Sequence, residues 1–264
     1  MKPPRAGGKK SSGLWTGAVL AVLMGWLVSS GIFGNKLETW SYEGPWFYRN
    51  DPVPGEVVIV FMDEESEAQL QQPSNGKWDR RIHARLLHRL KDEGSRTVLF
   101  DVMFNLPSDA EEDRLFAEAI RRHGKVVLGI DYTKAGDSGS TGLGKARRAV
   151  HPISLFADNA AGLGIVQVVP DTEPVVRRLF PGFARAGGGK ALPTTTWKTA
   201  ELEGAPVTKD LAGMERERWL NYYGAPGKID HVSYYRALDT NQVLPGFFRN
   251  KVVLIGNQTR VGFT

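Results

Sequence analysis

The sequence predicts an α/β protein: an N-terminal transmembrane helix followed by a three-layer α/β domain with a mainly parallel sheet and an added β-hairpin. Three observations predict it. Short apolar runs, VVIVFM, TVLFDVMF, KVVLGIDY and KVVLIG, alternate with amphipathic helix-forming segments, which is the pattern of strand–helix–strand units. The runs carry no regular polar face, as expected of strands covered on both sides. A stretch of twenty uncharged residues, Leu14–Phe33, follows a basic tail and matches a hydrocarbon core about 30 Å thick.

The charge distribution fixes the reading of both ends. Lys2, Arg5, Lys9 and Lys10 precede the first acid and supply four of the five net positive charges. The remainder is nearly neutral and has no electrostatic footprint for a phosphate backbone, so nucleic acid is excluded as a partner. The basic tail 1–13 stays in the cytoplasm under the positive-inside rule, and residues 34–264 lie outside it. A cleaved signal peptide is the main alternative, because Ser29, Ser30 and Gly31 are small enough for a cleavage site. Trp15, Trp40 and Trp46 suit either the interface belts or packing against the domain. With no cysteine, disulfides, thiolate zinc sites and a thiol nucleophile are all excluded.

Residues 34–55, with Pro45, Pro52, Pro54 and Gly55 among aromatics, read as a juxtamembrane connector. The domain proper, 56–264, opens with the strand Val57–Met62. IHARLLHRLKDEG places Ile82, Leu86, Leu87 and Leu90 on one face and stops at Gly94. A strand over Thr97–Phe104 follows. The next helix has Ser108 or Asp109 as its cap, acids in the first turn, Arg121, Arg122 and His123 in the last, and Gly124 behind them. Lys125–Tyr132 is the third strand. The Gly/Ser-rich stretch 135–149 reads as an excursion loop. GLGIVQVVPD and VVRRLFPGFA flank a turn at Asp171–Pro174 and supply the expected hairpin. PTTTWKTAELEG reads as a helix, RWLNYYG as a strand, HVSYYRAL as a short helix and Asn250–Asn257 as a final strand inside the sheet. The chain stops at Thr264 soon afterwards, which predicts a continuation that re-enters the membrane.

Asp63, Asp101 and Asp131 fall at or near the C-terminal ends of three neighbouring predicted strands, where open parallel sheets bind ligands. Three carboxylates could hold a hard cation through oxygen, or each could cap a helix or bond loop amides. Asp101 could also be buried against an arginine. Glu64 lies beside Asp63 in the patch that caps the next helix and lines the crevice. Trp78, Arg80 and Arg81 could clamp an anionic ligand, or the arginines could neutralise the acids after the first strand.

Two lookalikes carry little. GSTGLGKA (139–146) has Walker A spacing but Ala146 in place of the magnesium-binding hydroxyl. GDSG (136–139) has no framework to hold a triad. The five histidines lack metalloprotease spacing and are expected mostly at the surface or at caps.

The pieces VVIVFMDEES, KWDRRIHARLLHRLKDEGSRTVLFDVMFNLPSDAEEDRLFAEAI, GLGIVQVVPDTEPVVRR, WLNYYGAPGKIDHVSYYRAL and NKVVLIGNQT occur in the order of the type-two CHASE domain, and the chain resembles that family over most of residues 37–260. The resemblance implies an extracytoplasmic sensor in the bacterial inner (cell) membrane. It implies an unknown small-molecule or envelope ligand, a homodimeric receptor, and a cytoplasmic cyclase, histidine kinase or Ser/Thr kinase as output. It implies no cofactor and no catalysis by this chain. The sequence departs from the family at Gly44–Pro45, which interrupts a usually continuous helix, and around Lys77–Trp78–Asp79, where prolines are expected. Other classes stay open: a membrane-anchored metal-dependent hydrolase or phosphatase using the strand-end aspartates, and a non-signalling cell-envelope interaction module.

Overall fold

A computed structural model describes residues 10–29, 40–47, 51–74, 76–134, 147–168, 176–183, 191–224 and 227–258. The chain divides into two compact units, Met1–Pro52 with Tyr222–Gly224, and Val53–Asn221 with Ala225–Thr264.

The first unit holds helix α1 (Lys10–Ser29) and a 3-10 turn at Gly44–Phe47. Here the sequence expectation is corrected. Among the described residues no helix is long and apolar enough to cross a membrane. The helix opens on Lys10, Ser11, Ser12 and Gly13 and ends at Ser29. Its apolar part among the described residues, from Leu14 to Ser29, spans about 24 Å at 1.5 Å per residue, short of a core about 30 Å thick. Residues 30–33 of the expected span lie outside the described residues.

The second unit is built on a mixed sheet. Strands β1 (Val57–Met62), β2 (Val98–Asp101), β3 (Val126–Lys134), β4 (Arg147–Val150), β5 (Gly162–Ile165), β10 (His231–Ser233) and β11 (Val252–Asn257) form it in the order β10-β1-β11-β2-β3-β4, and β5 also pairs with β3. Every pairing is parallel except β3 with β4. Strand β11 lies between β1 and β2, so the expectation of an internal final strand holds. The expected hairpin does not. The described residues of GLGIVQVVPD give β5, which pairs in parallel with β3. The VVRRLFPGFA segment gives β6 (Arg178–Leu179), paired with β9 (Arg218–Trp219), and β7 (Gly182–Phe183), paired with β8 (Leu192–Pro193). The antiparallel addition is β4 instead, on the far side of the Gly/Ser-rich loop.

Helices α2 (Glu64–Gln69), α3 (Arg80–Glu93), α4 (Ala110–His123), α5 (Ser154–Ala157) and α7 (Tyr234–Leu238) supply one face. Leu86, Leu87 and Leu90 of α3 and Phe116 and Ile120 of α4 are fully buried and share a core with Val58, Val60, Phe100, Leu128, Val253 and Ile255. Full burial of each such side chain contributes about 1.5–3 kcal/mol. Gly94 and Gly124 end α3 and α4 in the left-handed region, at φ 81° and 82°, where glycine lacks the Cβ penalty.

The opposite face is covered only in part. Helix α6 (Thr195–Leu202) packs on β5 and β3, and Leu99 and Val127 are buried there. On β1 and β11 burial alternates, leaving Val57, Ile59, Phe61, Val252 and Leu254 half-buried. The third layer expected across the whole sheet is thus confined to its β3–β5 end.

Candidate ligand-binding site

The strand-end acids have separate surroundings. Asp63 caps α2, its Oδ1 accepting from the Ser66 N–H at 2.8 Å. Glu64 is exposed in the first turn of that helix, where a negative charge meets the positive end of the helix dipole. Asp131 faces Val150 across the β3–β4 pairing and accepts from Gln167 Nε2 at 3.0 Å. Asp101 ends β2 opposite Gly256. It is exposed, and among the described residues no hydrogen bond or ion pair engages its carboxylate, in place of the arginine partner that the apolar run after it suggested. The protein around it still removes enough water to push its carboxyl above the ordinary carboxylate range.

Because β11 separates β1 from β2, Asp63 and Asp101 stand about two strand spacings, roughly 10 Å, apart. The three aspartates do not converge. Among the described residues no group of three or more His, Cys, Asp or Glu could hold a metal ion.

Trp78, Arg80 and Arg81 part company at the start of α3. Trp78 is only 5% exposed and meets the Tyr234 ring edge-on at 5.2 Å. Arg80 is 2% exposed, with its Nε 3.5 Å from Asp113 Oδ1 and its guanidinium 4.5 Å from the Phe104 ring centre. Burial pulls its pKa down and Asp113 opposes the shift. Arg81 points outward to Asp79 at 2.7 Å and Glu112 at 3.1 Å. Neither arginine pairs with the acids after β1. Asp79 meanwhile caps α3 by accepting from the Arg81 N–H.

His151 and His231 are exposed and His88 is half-buried, while two histidines depart from the positions expected of most. His83 and His123 are 1% and 3% exposed. Burial lowers the His83 pKa to about 3, with Arg80 adding to the effect, and burial lowers that of His123 to about 4. The Walker-like 139–146 and the GDSG segment 136–139 lie outside the described residues.

Two surface hollows flank α7. One, about 360 Å³, lies among Gln69, Leu70, Arg85, Tyr235, Asp239 and Gln242. The other, about 380 Å³, lies along edge strand β10 between Val232, Arg236, Leu244 and Phe247.

A family model described as CHASE2 domain matches residues 18–262. The chain belongs to the CHASE2 domain family. A CHASE2 domain is an extracytoplasmic sensor module of signalling receptors and is not catalytic. No curated protein and no solved structure matches.

In this CHASE2 domain the residues around the first hollow were missed from sequence because they come from three segments brought together by β10 pairing beside β1. One signal was present. Arg85 has arginines at both helical neighbours four residues away, Arg81 and Arg89, so no carboxylate at that spacing neutralises it.

Proposed function

We propose that this CHASE2 domain is the ligand-sensing portion of a bacterial receptor, acting as a homodimer and regulating a cytoplasmic cyclase or kinase. The observation that carries the reading is the family match over residues 18–262. Binding would act by favouring one of two arrangements of the domain, since a ligand shifts an equilibrium only by its differential affinity. Of the strand-end carboxylates, Asp101 supports a ligand role best, being accessible and without a partner among the described residues. Glu64, Asp63 and Asp131 line the same end of the sheet, while buried Trp78 and Arg80 and the paired Arg81 set the position of α3.

A phosphatase reporter that works only outside the cytoplasm, fused after Thr264, tests the placement. Activity is expected. A silent reporter, with a cytoplasm-dependent one active at the same junction, would overturn it. Deleting residues 56–264 in the native host should alter cyclic-nucleotide levels or protein phosphorylation, and unchanged levels of both would remove the signalling role. Sedimentation of the purified protein should give a dimer.

A further inference from the structure

The hollow beside α7 is lined by two opposite charges that no ion pair joins, Arg85 and Asp239. Arg85 is exposed, and among the described residues it makes no hydrogen bond or ion pair. Its neighbours along the helix are committed elsewhere, Arg81 to Asp79 and Glu112 and Arg89 to Glu93 and the Ala237 carbonyl. Like charges four residues apart disfavour a helix, and a bound anion relieves that repulsion. Asp239, just past α7, accepts from the Asn241 N–H at 2.9 Å and from Gln242 Nε2 at 3.0 Å. These bonds hold its carboxyl below the usual range, so it is ionised at neutral pH and retains free lone pairs.

Arg85 and Asp239 line one hollow of about 360 Å³ together with Leu70 and Leu238, yet no ion pair joins them. A purely anionic ligand would be repelled by Asp239, and a purely cationic one by Arg85. A small zwitterion satisfies both. We propose that this hollow binds a free α-amino acid, its carboxylate on Arg85, its ammonium on Asp239 and its side chain against Leu70 and Leu238. The inference names a ligand class for the sensor and rests on that reading for its meaning to the receptor.

The test is calorimetry of the full chain with each proteinogenic α-amino acid in turn, L-leucine first, beside leucinamide and 4-methylpentanoate, which lack the carboxylate and the ammonium respectively. Binding by at least one amino acid is expected. Loss of either charged group, or Arg85→Gln or Asp239→Asn, should weaken it about tenfold or more. Both residues are at the surface, and unchanged melting temperatures of the variants will show that the fold is intact. No binding by any amino acid, binding that survives both variants, or 4-methylpentanoate binding as well as leucine would overturn the proposal. Receptor output in the native host separates the two readings. Binding without an output change counts against the sensing role and leaves the site standing. An output response to another compound, with no amino acid bound, overturns the site and leaves the sensing role standing.

Discussion

The His83 Nδ1 and the Tyr234 hydroxyl lie 2.7 Å apart, both buried, joining α3 to α7 through the centre of an aromatic cluster. Tyr234 leans edge-on against Trp78 and His83, and His83 meets Phe100 and Phe104 in the same way. The hydrogen bond satisfies two polar groups that would each cost about 1–3 kcal/mol if buried alone. It also ties the helix that Asp239 follows to the one that carries Arg85.

This pair makes stability depend on pH. Burial lowers the folded-state His83 pKa from 6.5 to about 3, so between those values the unfolded chain binds a proton that the folded chain refuses. The stabilisation is full above pH 6.5 and is lost as pH falls toward 3, with a slope approaching about 1.4 kcal/mol per pH unit. His123, lowered to about 4, adds a similar slope over a narrower window. Urea melts at pH 7.5 and 5 should show this loss, and the double variant His83→Phe with Tyr234→Phe should lose the His83 share. An identical pH dependence in that variant would refute the assignment.

Arg80 and Asp113 form a buried ion pair whose Nε and Oδ1 make no hydrogen bond, although Asp113 Oδ2 accepts from the Ser108 N–H. Removing one partner strands the other charge away from water. Asp113→Asn should therefore cost about 3–5 kcal/mol, while Arg80→Met with Asp113→Leu should recover most of that loss. Thermal melts of the three proteins decide the matter, and a double variant no better than the single one would show that the pair is worth more than apolar packing.

Much of this was legible in the sequence, for identifiable reasons. Asp109, the acids after it and Gly124 mark both ends of α4, because caps are local chemistry. The run Val57–Met62 was read to the residue, but the burial on both faces expected of it does not hold, its alternate residues being only half-buried, since an apolar run does not say which neighbour covers each face. Adjacent Arg80 and Arg81 were indistinguishable because helix phase alone sends one inward to Asp113 and the other outward to Asp79. The separation of Asp63 from Asp101 depends on β11, a strand from the far end of the chain. Such long-range insertion leaves no local mark.

Asp101 provides a milder test. Desolvation raises its folded-state pKa, so the folded chain holds its proton to higher pH than the unfolded chain does. Its charge is then a small liability that sets in as pH rises above the unfolded value. Asp101→Asn should leave stability unchanged near pH 3 and raise it by a few tenths of a kcal/mol at pH 7, the range usual at accessible positions. Destabilisation at pH 7 would mean that the carboxylate holds a favourable partner.

The third layer rests on one close approach. A Cβ on Gly164 of β5 would lie 2.5 Å from the Thr195 nitrogen and 2.6 Å from Thr194 C and Thr195 Cα, all backbone atoms at the start of α6. They cannot swing aside as a side chain can. At Gly162, two residues earlier on the same face, the three nearest atoms all belong to the Lys198 side chain, the closest at 2.6 Å, and that chain ends in an exposed pair with Glu201 that reforms easily. Gly164→Ala should therefore cost about 1–3 kcal/mol by overpacking, lowering the melting temperature by roughly 2–4 °C per kcal/mol for a domain of this size. Gly162→Ala should cost much less. Amide exchange should show the loss at Gly164→Ala concentrated in α6 and β5, with α3 and α4 unaffected. Equal melting temperatures for the two variants would mean that α6 does not sit on the sheet as closely as this contact requires.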